Sequence, residues 1–120
     1  MIIHVAPLDD WLAIPERPYA PASLAAEGFV HCSPDERTTL AVVNAFYRET
    51  TGPLMALLID EGKLLAPVRR EPAGSVPPPG VAPGTLFPHV YGPIDRSAVV
   101  GMLEVQRDGS GQAVGFAPWA

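Results

Sequence analysis

Three histidines are the residues of this chain best suited to chemistry: His4, His31 and His89. Each lies in a short apolar stretch with the composition of a β-strand. A buried imidazole nitrogen without a hydrogen-bond partner costs about 1–3 kcal/mol, so three such rings in one small chain predict a shared polar site. Histidine can act in such a site as a general base, or it can accept a hydrogen bond from a ligand hydroxyl.

The residues around two of these histidines have the composition of a ligand pocket. Side chains alternate across a strand, so positions two apart share a face. Each of two faces then combines an aromatic ring, an imidazole and a hydroxyl: Phe29, His31 and Ser33 in one strand, and Phe87, His89 and Tyr91 in another. Such a surface can stack a planar ring and hydrogen-bond a sugar or a phosphate. The alternative is that these residues only tie strands together through buried hydrogen bonds.

A carboxylate and a thiol complete the candidate groups. Glu71 ends a predicted strand, where it either faces the pocket as a base or hydroxyl acceptor or is a solvated surface charge. Cys32 points to the opposite face from His31, which favours a buried thiol over a catalytic one. The histidines have no i,i+2 or i,i+4 spacing, so the sequence predicts no metal site.

Six strands and one long helix are predicted to position these residues in an α+β fold. The strands are expected over residues 2–6, 29–32, 54–59, 68–71, 86–91 and 99–105, with short helical segments at 7–12 and 23–28. The 54–59 run is almost entirely apolar, as in a central strand buried on both faces. Ser33 and Glu36 have the spacing of a capping box, which predicts a helix from there to about Arg48. Its apolar face is expected to bury Leu40, Val43, Phe46 and Tyr47.

Composition excludes several classes of protein. The chain has 120 residues, 48% of them hydrophobic and 18% charged, which is typical of one globular domain. A net charge of -5 argues against general nucleic-acid binding. No apolar run is long enough to cross a membrane, and no secretory signal is visible. With a single cysteine as well, the sequence predicts a cytoplasmic protein.

Four blocks of the sequence resemble the DUF952 family, a bacterial domain of unknown function. They are the first strand with His4, residues 23–33, residues 67–71 and residues 87–93. The resemblance implies a fold similar to the ADP-ribosyltransferase superfamily, a compact single domain in which two small, mostly antiparallel sheets form a cleft beside one main helix. A DUF952-like domain is expected over 1–105, with the Pro/Gly-rich 72–85 loop as an insertion. Residues 106–120 are expected to be a C-terminal extension that forms a hairpin arm.

The resemblance also implies a cofactor and site residues. Members of that superfamily bind NAD in the cleft, which implies NAD as the cofactor and a small molecule as the partner. Two roles are implied, catalytic for His31, His89 and Glu71, and cofactor-binding for His4, Ser33, Phe29 and Tyr91. Where the transferases present a late glutamate to steady the ribosyl cation, this chain has His89.

Three functions follow from these observations. The first is an ADP-ribosyltransferase-like protein that binds NAD or another nucleotide in a histidine-rich pocket. The second is a non-catalytic module that binds a small molecule or a protein partner. The third is a hydrolase or tailoring enzyme with His31 or His89 as the general base.

Overall fold

The computed structural model describes residues 1–73 and 77–119, and in this part of the chain seven strands form two antiparallel sheets. The strands are β1 (Ile2–Pro7), β2 (Val30–His31), β3 (Leu54–Ile59), β4 (Val68–Pro72), β5 (Leu86–Val90), β6 (Val99–Arg107) and β7 (Ala113–Pro118). The larger sheet has the order β1-β3-β6-β7, and the smaller has the order β2-β5-β4. All of these neighbours pair antiparallel.

Three α-helices and two 3-10 turns accompany the sheets in the described residues. The helices are α1 (Leu8–Leu12), α2 (Ala22–Glu27) and α3 (Glu36–Phe46), and the turns are Glu61–Lys63 and Arg96–Ala98. The prediction of an α+β domain with two antiparallel sheets and one main helix is confirmed. No helix in the described residues combines the length and the apolar character needed to cross a bilayer.

The larger sheet buries both of its faces. One face packs against the smaller sheet in a cluster that includes Leu57, Val30 and Val90. The other face packs against α3 in a second cluster that includes Leu54 and Val43. Because β3 lies inside the sheet and contributes to both clusters, it is almost wholly apolar and buried, as its sequence predicts.

Two details of the prediction for α3 are wrong. The helix is capped by Asp35, whose side chain accepts a hydrogen bond from the Thr38 amide at 2.7 Å. Ser33 does not form the capping box because its backbone N–H and C=O are bonded to β1, which keeps the chain extended as far as Asp35. Phe46, predicted to be buried, is 69% exposed. Phe46 shares the helical face of Thr39 and Val43, but it is the last residue of α3 and lies beyond the buried part of that face.

The two segments predicted as additions both pack on α3. β6 and β7 form a hairpin, and the Asn44 side chain accepts from the Ala113 amide at 2.7 Å, which covers the start of the edge strand β7. In the 72–85 loop, residues 74–76 lie outside the described residues. The described part of the loop is not wholly exposed: Val81 is 9% exposed, and Gly80 lies against Ala41 of the helix. The loop therefore covers part of α3.

Candidate functional site

A cleft of about 780 Å³ opens where the two sheets meet. β1 is an edge strand of the larger sheet, and its Ile3 exchanges two backbone hydrogen bonds with Ser33, of 2.9 and 2.7 Å. This pair joins β1 to the segment that follows β2. The cleft is lined mainly by apolar groups, and its volume lies within the range of small-molecule sites. His4, His31 and His89 all line it.

The smaller sheet aligns His31 and His89 directly opposite each other. They are partners in the antiparallel register of β2 and β5, so their side chains extend from the same face. The ring centroids are 5.4 Å apart, with the planes at 72°. Phe29 stacks on His89 at 4.1 Å and also contacts His31, with a centroid distance of 4.7 Å. The result is one aromatic wall that contains two imidazoles.

Glu71 fixes the proton on His89. In the register of β4 and β5, Glu71 is paired with Phe87, which lies two residues before His89 and on the same face of the strand. Glu71 Oε1 accepts from His89 Nδ1 at 2.8 Å and from the Tyr91 hydroxyl at 2.5 Å. These hydrogen bonds, from Tyr91 first and then from His89, lower the pKa of Glu71, so the carboxyl is ionised at neutral pH. An ionised carboxylate can only accept, so the hydrogen lies on Nδ1 and neutral His89 has its lone pair on Nε2.

That lone pair is directed to the cleft. His89 is 6% exposed, it lines the cleft, and its Nε2 has no hydrogen-bond partner among residues 1–73 and 77–119. No buried side-chain nitrogen or oxygen in those residues lacks a partner, so this atom lies at the accessible surface. Glu71 and Tyr91 lie behind the ring and do not line the cleft themselves.

His4 is held in the same tautomer from the other sheet. Its Nδ1 donates to the backbone carbonyl of His31 at 2.6 Å. Burial lowers the pKa of His4 to about 4, so the ring is neutral at physiological pH. Its Nε2 has no protein partner within the described residues, and the ring lines the cleft. His4 therefore presents a second hydrogen-bond acceptor to a ligand.

His31 is paired with a carboxylate that sequence reasoning missed. Its Nε2 is 2.5 Å from Glu27 Oε2, and about half of each side chain is exposed. Glu27 ends α2, and Gly28 follows in the left-handed conformation with φ of 86°. This glycine cap turns the chain back so that a helix-terminal carboxylate meets the next strand. The Glu-Gly pair just before a strand was the available signal.

The cleft is also lined by Asp10, Tyr19 and Tyr47, which sequence reasoning did not select. Tyr19 is 5% exposed, and burial together with the charge of Asp10 raises its pKa to about 12. Burial first and Asp10 second also raise the pKa of Tyr47. These residues reach the site from α1, from the loop after it and from the end of α3, so no local pattern joins them.

The remaining candidate groups from the sequence are Ser33, Phe29 and Cys32. Ser33 and Phe29 line the cleft with the histidines. Cys32 is buried, which raises the pKa of its thiol and keeps it protonated. Among the described residues, no group of three or more His, Cys, Asp or Glu side chains is arranged to hold a metal ion. None of the described residues that line the cleft is a lysine or an arginine.

Comparison with known proteins gives a family and a fold. Residues 5–102 match the family described as Protein of unknown function (DUF952). A search of curated proteins gives no match. Crystal structures of protein CC0527 from Caulobacter crescentus and of a double mutant of it are 21% and 20% identical to the chain. Each covers 94% of this chain and 92% of its own, with a TM-score of 0.75.

At these identities the structural likeness shows the fold alone. The likeness to ADP-ribosyltransferases stays a prediction. Because the family match extends over most of the sequence, the chain belongs to the DUF952 family, whose function is unknown.

Proposed function

We propose that the protein is an enzyme that acts on a small organic molecule in the cleft, with His89 as the general base. The observation that carries the proposal is the Glu71 carboxylate, which accepts hydrogen bonds from His89 Nδ1 and from Tyr91. It leaves the Nε2 lone pair of His89 on the cleft side.

The arrangement suits proton abstraction for an electrostatic reason. When Nε2 takes a proton from a substrate, the imidazolium that forms is stabilised by the ionised carboxylate already at Nδ1. The Tyr91 hydroxyl holds that carboxylate in place, and Phe29 stacked at 4.1 Å fixes the plane of the ring. Glu71 is therefore a positioning residue, and His89 is the group that touches the substrate.

Acylation of individual histidines by diethyl pyrocarbonate tests this arrangement without a known substrate. The rate at His89 is measured by mass spectrometry as its limiting value at high pH, where the ring is neutral. We expect His89 to be modified at Nε2, and Glu71→Gln to slow the reaction by about tenfold because the carboxylate no longer supports the developing charge. Glu49→Gln, which changes an exposed carboxylate elsewhere, is the matched control and leaves the rate unchanged.

A screen of small esters, amides and glycosides then identifies the reaction. Conversion should depend on His89 and Glu71 and should persist in Glu49→Gln. If His89 is acylated equally fast with and without the Glu71 carboxylate, the general-base proposal is wrong. The cleft would then fit the non-catalytic ligand-binding module better.

Binding of NAD is the second candidate, and the acceptor on His4 favours it. Neutral Nε2 of His4 can accept from a ribose hydroxyl, and the Phe29–His89 wall can stack a planar base. The cleft offers no lysine or arginine among its described lining residues to a diphosphate. Calorimetric titration should compare NAD with nicotinamide riboside, which has the same ribose and pyridinium without the diphosphate.

The two ligands give separate outcomes. Binding of either one that is lost in His4→Ala supports a ribose site at His4. Tighter binding of the riboside agrees with the lack of cationic partners, and tighter binding of NAD contradicts that reasoning. No heat with either at millimolar concentration, at two temperatures, removes this candidate.

A further inference from the structure

Tyr19 is a buried phenol whose hydroxyl has no hydrogen-bond partner in the described part of the chain. The residue is only 5% exposed. The ring is held from two sides, by Trp11 at a centroid distance of 5.5 Å and by His4 at 5.8 Å. Its backbone exchanges two hydrogen bonds of 2.8 Å with Ile94. The hydroxyl has no hydrogen-bond partner within 1–73 and 77–119, and the residue lines the cleft, so a rigid polar group is presented to a ligand.

Asp10 is a carboxylate that lines the cleft together with this phenol. It is exposed on α1, it lines the same cleft, and no salt bridge among the described residues involves it. Asp10, Tyr19 and Tyr47 line one cleft, and the charge of Asp10 adds to burial in raising the pKa of both phenols, while the charge of Arg96 opposes this at Tyr19. A carboxylate that forms no salt bridge within the described residues, in a cleft lined by two tyrosines, is an environment that suits an ammonium group.

The other polar groups of the cleft also accept hydrogen bonds or carry negative charge. His4 and His89 each present a lone pair, Asp10 presents a carboxylate, and Glu27 adds a carboxylate that is paired with His31. No lysine or arginine balances them among the described lining residues. A ligand that matches this surface must donate hydrogen bonds and carry positive charge.

From this geometry we infer that Asp10, Tyr19 and Tyr47 form a binding subsite for the ammonium group of an organic amine. These residues hold the ammonium group while the apolar body of the amine lies in the cleft that His89 also lines. This inference rests on the proposed function and specifies its substrate class, because it makes amines the molecules on which His89 acts.

Titration with benzylammonium tests the subsite, and benzyl alcohol is the neutral counterpart of the same shape. We expect benzylammonium to bind the wild-type protein about tenfold more tightly than the alcohol. Asp10→Asn should weaken the cation by about fivefold and leave the alcohol unchanged, since an exposed carboxylate–ammonium pair contributes up to about 1 kcal/mol. Added salt should weaken binding of the cation in the wild type.

Asp9→Asn is the matched control. It removes the same charge from the adjacent, exposed position of α1, and Asp9 does not line the cleft. The affinity of the Asp9→Asn protein for benzylammonium should stay within twofold of that of the wild type. Equal loss in both variants would mean that only general charge matters, and equal affinity for the cation and the alcohol would mean that no ammonium site exists. Either result overturns the inference.

The inference and the proposed function fail separately. Acylation of His89 needs no amine, so a slow Glu71→Gln variant together with no preference for the cation would remove only the substrate class. Binding of benzylammonium needs no proton transfer. A clear preference for the cation with unchanged acylation rates would therefore leave an amine-binding protein without the proposed chemistry.

Discussion

His4 should make the stability of the protein sensitive to acid. Its ring is buried and neutral, with a pKa of about 4 in the folded chain against 6.5 for an unperturbed histidine. Below pH 6.5 the unfolded chain binds a proton that the folded chain does not, so protonation favours unfolding. The stability that this group confers is complete above pH 6.5 and is lost as the pH falls towards 4.

The magnitude follows from the difference between the two pKa values. The shift from 6.5 to about 4 corresponds to roughly 3 kcal/mol in total, at about 1.4 kcal/mol per pKa unit. Between pH 7 and pH 4 the free energy of unfolding should fall by about 3 kcal/mol from this residue alone. That is a large share of the 5–15 kcal/mol that is usual for a domain.

Comparison with His4→Asn isolates this contribution. The asparagine amide can still donate to the His31 carbonyl, as Nδ1 does, but it does not titrate. Urea unfolding of both proteins between pH 7 and pH 4 cancels the carboxylates that they share. The stability advantage of the wild type over the variant should shrink by about 3 kcal/mol over that interval. A constant difference between the two proteins would refute the assignment of a buried, neutral His4.

Two further substitutions should lower stability by separate mechanisms. Arg96→Ala removes three hydrogen bonds to the backbone carbonyls of Trp11, Ile14 and Arg17 and a cation–π contact with the Trp11 ring at 4.3 Å. It should reduce the free energy of unfolding in urea by about 2 kcal/mol, and Arg96→Lys should restore less than half because it lacks the planar fork; full restoration by lysine would contradict this. Gly111 has a φ of 86°, and a Cβ added there would lie 2.8 Å from the backbone carbonyl oxygen of Arg48. The melting temperature of Gly111→Ala should therefore drop. Gly109→Ala is the control and should be tolerated, because nothing lies within 4 Å of a Cβ added at Gly109. Equal effects at the two glycines would show that the hairpin relaxes freely.

The strands and the main helix follow from local patterns. The apolar run of β3 and the strand around His89 are visible in the sequence because alternation and burial are properties of neighbouring residues. The position of the cap on α3 was not predictable in this way. Ser33 has the right side chain for a cap, but its backbone is already bonded to Ile3, about 30 residues earlier in the chain. A non-local bond therefore decides where the helix begins.

The candidate site, like the fold, was predictable from the sequence only in part. Histidines in apolar strands could be selected as candidates from the sequence, and Glu71 could be selected as a carboxylate near them. The contact of one Glu71 oxygen with both His89 and Tyr91 depends on the register of β4 and β5, and patterns in a single sequence do not determine that register. Tyr19 is anchored beside the cleft by a backbone bridge to Ile94, which is far away in the sequence. Composition contains no trace of that bridge.

Because the bridge between Ile3 and Ser33 joins the two sheets at the cleft, the thermal stability of the protein should report on ligand binding. Through this bridge the cleft is shared between two sheets, with His4 on one and His89 on the other, so a ligand that contacts both rings ties the two halves of the domain together. A compound present at 100 times its dissociation constant adds about 2.7 kcal/mol to the folded state. For a domain of this size, the melting temperature then rises by on the order of 10 °C. Heating the protein with a library of small amines, alcohols and nucleosides should therefore rank candidate ligands before any reaction is known.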